Sequence, residues 1–225
     1  MIVFKSVTKT FKPDLQALKD ISFEIEKGEF VFLVGPSGAG KTTILRLLLL
    51  DLIPTEGQIE LDGQDLSKIK KSKVHLHRRK IGISFQDFKI LMDRTVWENV
   101  LVVGSIINKD KSQREKDAKE SLELVDLWDK KDFFPVQLSG GELQRLVIAR
   151  AISNHPGILF ADEPTGNLDP KNAWQIVALL GKINKKGTTV IMASHNTDIV
   201  DSLQKRVIKL EKGKIVSDKK KGKYV

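Results

Sequence analysis

The sequence predicts an α/β fold, in which helices cover a mostly parallel sheet. One observation is a set of short, continuous apolar runs, typical of strands buried on both faces, at residues 29–34, 81–85, 158–161 and 189–193. Another is a set of segments with helical spacing, at residues 43–50, 95–107, 113–127, 141–153 and 172–182. Because strands and helices alternate along the chain, a layered α/β architecture is expected.

The two ends of the chain have a different pattern. Residues 2–11 and 21–26 are predicted to be half-exposed strands; the second alternates apolar and polar residues, as an antiparallel strand with one wet face does. A further strand is predicted at 58–61. Residues 206–210 and 214–217 are predicted to form a hairpin.

Between about residues 88 and 153 the strand-like patterns disappear, which predicts a helical insertion. The chain is therefore divided as one domain, 1–225. Its parts are a core of residues 1–87 and 154–218, a helical subdomain of 88–153, and a basic tail of 219–225 that is expected to be mobile.

Composition narrows the function classes. The 225 residues include no cysteine, which excludes disulfides, thiolate catalysis and cysteine zinc sites. The start does not resemble a signal peptide, and no apolar run is long enough to span a bilayer. The net charge of +9 fits nucleic acid, an anionic membrane surface, or simply a solvated lysine-rich surface. Apart from a lone Tyr224, the basic stretches lack interleaved aromatic residues, which weakens the case for nucleic acid.

Residues 35–42, GPSGAGKT, fit the phosphate-binding P-loop pattern. They stand between a predicted buried strand and a predicted helix, which is the context the motif needs. Glycines allow the backbone to turn tightly, and the amides of the turn then point toward phosphate oxygens. Lys41 would add a full positive charge, and the Thr42 hydroxyl would be a Mg²⁺ ligand. The alternative is a glycine-rich turn without a ligand.

Asp162 and Glu163 end the apolar run at 158–161, which places two carboxylates at the carboxyl edge of the sheet beside the P-loop. Asp162 is predicted to hold Mg²⁺, and Glu163 to orient or deprotonate an attacking water. The alternative is a structural acid pair at a turn.

Residues 138–144, LSGGELQ, place a serine and two glycines before a predicted helix, which makes a second anion-binding surface. One nucleotide does not need two such surfaces from one chain, so the second is expected to serve a nucleotide held by another copy. At this point the chain resembles the ABC-family ATPases, whose signature motif has this form. The resemblance implies a P-loop NTPase fold with a RecA-like core, an antiparallel β subdomain and an inserted α-helical subdomain.

The resemblance assigns roles to residues that the pattern alone leaves open. Gln86 resembles the Q-loop glutamine, Asp169 belongs to a D-loop-like segment, and His195 resembles the switch histidine, while Phe11 would stack on adenine. The alternatives are a surface amide for Gln86 and a turn residue for Asp169. For His195 the alternative is a structural histidine, and for Phe11 it is a core aromatic. The implied catalytic residues are Glu163, His195 and Gln86, and the implied metal ligands are Thr42, Gln86 and Asp162. The implied ATP contacts are Phe11, Gly35, Ser37, Gly38, Gly40, Lys41, Thr42, Thr43, Ser139, Gly141 and Asp169.

The family implies a homodimer that sandwiches two ATP molecules with Mg²⁺ and hydrolyses them. It also implies an integral membrane permease as partner, docked in the cleft around residues 88–97, and no specific nucleic acid. The chain would be peripheral to the membrane, at the cytoplasmic face of the bacterial inner membrane. Residues 85–100 narrow the resemblance to the cell-division ATPases of the family, with lipoprotein-release and macrolide-export ATPases as the alternative.

Two classes from outside membrane transport stay open as alternatives. An ABC ATPase acting on DNA or ribosomes would explain the charge, although such proteins usually carry tandem cassettes or a coiled-coil insertion. A non-catalytic, nucleotide-gated scaffold is disfavoured by Glu163 and His195. Two departures from the family, Leu143 and Asn196, are not expected to affect phosphate or metal binding.

Overall fold

The computed structural model describes residues 1–224, which form two sheets and the helices around them. The strands of this part are β1 (Ile2–Phe11), β2 (Leu15–Ile25), β3 (Phe30–Val34), β4 (Glu56–Leu61), β5 (Gln64–Asp65), β6 (Ile81–Ser84), β7 (Ile158–Asp162), β8 (Thr189–Ser194), β9 (Arg206–Glu211) and β10 (Lys214–Lys219). The helices are α1 (Lys41–Leu48), α2 (Val74–Arg78), α3 (Val96–Ile106), α4 (Lys111–Leu124), α5 (Gly140–Ile152), α6 (Pro170–Lys185) and α7 (Thr197–Leu203).

The larger sheet has the strand order β10-β9-β3-β8-β7-β6. Its strands β9, β3, β8, β7 and β6 run parallel to their neighbours, and only β10 is antiparallel. The prediction of a mostly parallel sheet is therefore confirmed. The smaller sheet is antiparallel, in the order β2-β1-β4-β5. The alternation predicted at its edge is real, since Ile21, Phe23 and Ile25 are buried and the residues between them are exposed.

Two apolar cores hold the layers together, one on each face of the larger sheet. Phe32 faces the helices α3–α6, whereas its neighbours Val31 and Leu33 face α1 and the smaller sheet. All three residues are fully buried. A strand with both faces covered must be apolar at every position, which is why β3 shows a continuous run rather than an alternation.

Some elements differ from the sequence prediction. β2 begins at Leu15, earlier than predicted, because its first half pairs with β1 through register shifts that hide the alternation. The short helices α2 and α7 were not predicted. α2 contains two histidines and an arginine, and five residues are too few to show a helical period. All of the helices α3, α4 and α5 lie between β6 and β7, where the helical insertion was predicted; the limits at 88 and 153 stay a prediction.

Up to Tyr224, the basic tail that was expected to be mobile makes contacts with the rest of the protein. Lys219 pairs with Val207 at the end of β10, and the Gly222 amide donates to the Lys205 carbonyl. The Tyr224 amide donates to the Asp201 carboxylate over 2.7 Å, and the ring packs against the core beneath the helices. Val225, the last residue of the predicted tail, lies outside the described residues.

In residues 1–224, none of the helices combines the length and the apolar composition needed to cross a membrane.

Candidate functional site

The order of strands in the larger sheet brings four sequence-distant segments to one edge. The P-loop follows β3, His195 follows β8, Asp162 and Glu163 end β7, and Gln86 lies just past β6. These four strands are neighbours and run parallel, so their carboxyl ends meet on the same side. Open parallel sheets bind their ligands at this edge.

The P-loop turns because its glycines have backbone angles that other residues avoid. Gly35 has φ +143°, and a Cβ atom there would lie 2.1 Å from the Leu210 carbonyl oxygen. Gly38 has φ +78° with open space around it, as an approach by a ligand requires. Gly35 therefore fixes the loop against β9, whereas Gly38 keeps its outer side accessible.

Lys41, the first residue of α1, is buried with its ammonium group inside the loop. It donates to the Gly35 carbonyl over 2.7 Å and to the Pro36 carbonyl over 3.3 Å. The ammonium also lies 3.9 Å from a carboxylate oxygen of Glu163. A flexible ammonium with carbonyl partners can turn toward a phosphate oxygen, which is a stronger acceptor because it is charged.

Glu163 is held in a strained backbone conformation that aims its carboxylate into the site. Its φ is +48°, which costs about 1 kcal/mol for a residue other than glycine. One carboxylate oxygen lies 2.9 Å from the His195 Nδ1 atom and also accepts from the His195 amide over 3.2 Å. Strain of this kind persists where the surroundings impose it, and it is frequent at functional sites. Glu163 thus links the switch-like histidine to the P-loop lysine.

Asp162 lies beside Glu163 at the end of β7. Burial, together with the charge of Glu163, raises the pKa of this carboxyl above its ordinary value, although Lys41 opposes the shift. A divalent cation here would relieve the repulsion between the two acids and keep Asp162 ionised. The donor set around it, which consists of carboxylate, hydroxyl and amide oxygens, is the kind that Mg²⁺ prefers.

A cavity of about 280 Å³ joins these groups. It is lined by Ser37, Gly38, Ala39, Gly40, Lys41, Thr42, Thr43, Gln86, Asp162 and Glu163. The structure thus brings together most of the predicted phosphate, metal and catalytic residues. Turned amides, one ammonium and a helix N-terminus on one side, with acids opposite, fit a magnesium–phosphate group.

Phe11 does not line this cavity. Its ring is partly buried, belongs to neither apolar core of the described residues, and has the Lys9 ammonium 5.4 Å from its centroid. The alternative of a core aromatic is therefore disfavoured. Its contact with adenine stays a prediction.

The signature-like segment also lies outside the P-loop cavity and forms a second surface with the D-loop-like segment. Ser139 caps α5, and Gly141 is packed so closely on Asn172 that a Cβ atom would meet the Asn172 side-chain oxygen at 2.7 Å. Asp169 caps the next helix, α6, by accepting from the Asn172 amide over 3.1 Å. The predicted ATP contacts thus divide into two groups on one chain, the cavity and this capped surface.

Glu142 completes the cap of α5, and its pKa is strongly lowered. The Lys130 ammonium, 2.6 Å away, and the Ser139 amide and hydroxyl lower the pKa of Glu142 to about 2. The ion pair with Lys130 and the hydrogen bonds with Ser139 therefore hold the start of α5 in place.

Substituting Glu142→Gln should lower the free energy of unfolding by about 2 kcal/mol at pH 7, because glutamine can keep the capping box but not the ion pair. The folded pKa is depressed, so the contribution is complete above the ordinary value of 4.5 and is lost as the pH falls toward about 2. Urea unfolding of the wild type and of Glu142→Gln, at pH 7 and at about pH 3.5, measures this difference in the free energy of unfolding. The control is Glu115→Gln, a half-exposed acid on α4 whose only ion-pair partner in residues 1–224 is Lys111 at 4.0 Å. A pH-independent difference would contradict the ion-pair origin.

Several residues that support the site were not found from the sequence. The buried Asn99 holds the segment after Gln86, since its amide donates to the carbonyls of Leu91, Arg94 and Thr95. Gln144 donates to the buried Ser84 hydroxyl over 2.8 Å and so joins α5 to β6. The only available signal was a polar residue within an apolar helical stretch, which does not say what it contacts.

The two departures from the family have ordinary structural roles. Asn196 caps α7 by accepting from the Ile199 amide over 3.1 Å, and Leu143 packs against the core beneath the helices. Neither side chain lines the P-loop cavity.

A P-loop on a central parallel strand, opposed by a strand-end acid pair, is the site of a P-loop nucleoside triphosphatase, and the signature-like segment before α5 is typical of the cassette type. The ABC transporter family model matches residues 18–166, more than half of the chain. The chain therefore belongs to the ABC transporter family. It is an ATPase, with the α/β P-loop fold of that family.

Within the family, its similarity extends over full length to cell-division proteins. It is 48% identical to the cell division ATP-binding protein FtsE of Bacillus subtilis, over 100% of this chain and 98% of that protein. It is 46% identical to FtsE of Mycobacterium tuberculosis, over 100% of this chain and 98% of that protein. It is 41% identical to FtsE of Escherichia coli K12, over 95% and 96%. The expected resemblance to cell-division ATPases is thereby confirmed.

Solved structures of cassettes have the same fold. The dimer of the ATP-binding cassette MJ0796 in a post-hydrolysis state, bound to ADP and phosphate, is 35% identical, with a TM-score of 0.86 over 99% of both chains. CbiO1 of Clostridium perfringens, part of the transporter complex cbiONQ, is 26% identical with a TM-score of 0.91 over 97% of this chain and 88% of that chain.

Proposed function

We propose that this chain is the FtsE-like ATPase of a bacterial cell-division complex, in which ATP closes a dimer and drives an FtsX-like membrane permease. The permease would in turn regulate peptidoglycan hydrolysis outside the cell. The observation that carries the proposal is the full-length identity of 48% to an FtsE, combined with most of the candidate ATPase residues at the sheet edge. The chain would work at the cytoplasmic face of the inner membrane.

The cavity supplies one half of the ATP site. Gly35, Ser37, Gly38 and Gly40 would turn their amides to the phosphates, Lys41 would contact the β and γ phosphates, and Thr43 would support the loop. Phe11, at the end of β1, would stack on adenine. Thr42, Gln86 and Asp162 would hold Mg²⁺, which would neutralise charge on the β and γ phosphate oxygens.

Hydrolysis needs a water placed in line with the bond to the leaving ADP. Glu163 would accept the proton of that water as its oxygen attacks the γ-phosphorus, and inorganic phosphate and ADP are released. His195, which contacts Glu163, would orient the carboxylate and meet the γ-phosphate, while Gln86 would sense the metal. The chemistry is mainly positioning and charge stabilisation.

The other half of the site would come from a second copy. Ser139 and Gly141 begin α5 on a surface separate from the cavity, and Asp169 lies beside them, so a head-to-tail dimer would bring this surface onto the partner's ATP. A related cassette is solved as a dimer with ADP and phosphate, which supports this arrangement. ATP can close the dimer because the γ-phosphate contacts exist only in the closed state.

The permease would dock beside the helical subdomain, which we place at residues 88–153. An apolar cavity of about 540 Å³ lies there, lined in part by Phe85, Leu91, Val103 and Ile106. Ile106 is 71% exposed and the nearby Met92 is 57% exposed. Exposed apolar side chains around a groove fit an amphipathic helix of a partner.

Charged substitutions in this groove test the partner. Met92→Glu with Ile106→Glu should reduce recovery of a co-expressed FtsX-like permease at least about tenfold, because two carboxylates would be desolvated on docking. ATP binding in solution should be unchanged. Val216→Glu, an exposed position on β10, is the matched control. Unchanged recovery would contradict the docking site. Recovery of a lipoprotein-release or macrolide-export permease instead would favour that alternative function.

A further inference from the structure

The strongest unexplained feature is a stretch of one-sided charge between β5 and β6. Residues 68–80, called here the basic segment, contain seven lysines and arginines. No acid occurs between Asp65 and Asp87. The ATPase chemistry uses none of these cations, since the P-loop cavity is lined by other residues.

Residues 77–79 of the basic segment are fastened to the core. His77 is buried and its Nε2–H group donates to the Leu48 carbonyl, while burial lowers the pKa of this histidine and favours its neutral form. Arg78 donates to the Leu49 carbonyl over 2.9 Å, and the Asn154 amide donates to the Arg79 carbonyl over 3.2 Å. The end of the segment that leads into β6 is therefore held in place by hydrogen bonds to the core.

Four lysines of the basic segment are exposed to solvent and have no ion-pair partner among the described residues. Lys70, Lys71, Lys73 and Lys80 are exposed and form no ion pair with any residue in the range 1–224. Only Lys68 has an acid near it, Asp65 at 3.6 Å, and its own side chain is 80% exposed. Exposed like charges close together in the chain repel each other, so binding of an anionic partner would lower their electrostatic free energy.

The other lysine-rich region, at the end of the chain, is different. There Arg206 binds both Asp218 and Glu29, and Lys209 lies 3.2 Å from Glu211. These ion pairs neutralise part of that region, although Lys212, Lys214, Lys219, Lys220, Lys221 and Lys223 form no ion pair within residues 1–224. The basic segment differs from it in containing no acid at all.

We propose that the basic segment binds the anionic surface of a phospholipid bilayer. Arg78 of this segment lines the apolar groove assigned above to the permease, together with Phe85 and Leu91. A chain docked on a permease through that groove would therefore present the adjacent lysines to the headgroups around it. The inference rests on the proposed function for this orientation, but the charge and exposure are independent of it.

The chemistry of the segment favours lipid over nucleic acid. It contains no phenylalanine, tyrosine or tryptophan on which a base could stack. It does contain Leu76, an apolar side chain that is 40% exposed among the cations. Cationic side chains around an exposed apolar one match an interface of charged headgroups above acyl chains.

Sedimentation of the whole chain with vesicles, without any permease, tests the proposal. The wild type should bind vesicles of phosphatidylglycerol and phosphatidylcholine at low salt, and should bind pure phosphatidylcholine at least about tenfold more weakly. The triple variant Lys70→Gln, Lys71→Gln, Lys73→Gln should lose at least about tenfold in binding to the anionic vesicles. The ATPase rate in solution should be unchanged.

The control removes the same charge elsewhere, as Lys182→Gln, Lys185→Gln, Lys186→Gln at the end of α6, where all three lysines are exposed. This variant should keep wild-type vesicle binding. Equal loss in both triples would show an effect of net charge alone and overturn the proposal, as would absence of binding by the wild type. Loss of DNA or RNA binding in the first triple with vesicle binding retained would also overturn it. The vesicle experiment contains no permease. Its result is therefore independent of the permease-recovery experiment that tests the proposed function.

Discussion

Glu163→Gln should lower steady-state ATP turnover by about 10²–10³-fold while ATP binding is kept. Glutamine has the same shape and can still accept from the His195 amide, which is 3.2 Å from the carboxylate in the wild type. It cannot take a proton from the attacking water. Substrate would therefore bind and the dimer would close, but hydrolysis would not open it again. Single-turnover kinetics and size-exclusion chromatography with ATP measure both effects.

The control for this experiment is Glu123→Gln, an exposed acid on α4 that pairs only with Lys119 over 3.7 Å. It should have the wild-type rate. A Glu163→Gln variant with normal turnover would remove Glu163 from the role of general base. A variant that also lost ATP binding would instead show that the carboxylate is needed to position Lys41, 3.9 Å away.

Mixing two inactive variants should restore activity if each ATP site is shared between chains. Lys41→Ala removes the ammonium from the cavity, and Ser139→Asp keeps an N-cap residue on α5 but places a negative charge against the partner's phosphate. Alone, each should lose at least about 100-fold in turnover. In a mixed dimer one site contains both defects and the other contains neither. Equal mixing should therefore return about a quarter of the wild-type sites.

The matched control is a mixture of Lys41→Ala with Ser139→Thr, which retains a capping hydroxyl. That mixture should have more activity than the first, because Ser139→Thr homodimers keep both sites. No recovery in the first mixture, when mixed dimers are shown to form by cross-linking, would contradict the head-to-tail arrangement. Activity of Lys41→Ala alone near the wild-type level would contradict the role of the P-loop lysine.

The sequence was most informative where a single residue type satisfies the chemistry. Gly35 has to be glycine because a Cβ atom would collide with the Leu210 carbonyl, and Lys41 has to reach into the loop. Continuous apolar runs likewise predicted the buried strands, because both faces of that sheet are covered. Local rules of this kind act over a few residues, so they can be applied without knowing the fold.

The sequence was less informative where partners are far apart in the chain. It gave no sign that Gln144 would meet Ser84, or that Asn99 would hold three carbonyls of the preceding segment. It also suggested that the final lysines would be mobile, whereas Tyr224 fastens them to the core. Charge is visible in a sequence, but the packing that opposes it depends on which residues meet in space.

By itself, the sequence determined the P-loop, the acid pair at the end of β7 and the second anion-binding surface before α5. Only the tertiary structure decided that β8 lies between β3 and β7, which places His195 2.9 Å from Glu163 and Glu163 within reach of Lys41. It also left Ser139 and Gly141 away from the cavity that their chemistry suits. The reason is that strand order is set by how the helices and the second sheet bury apolar faces, and no local motif records that sum of contacts.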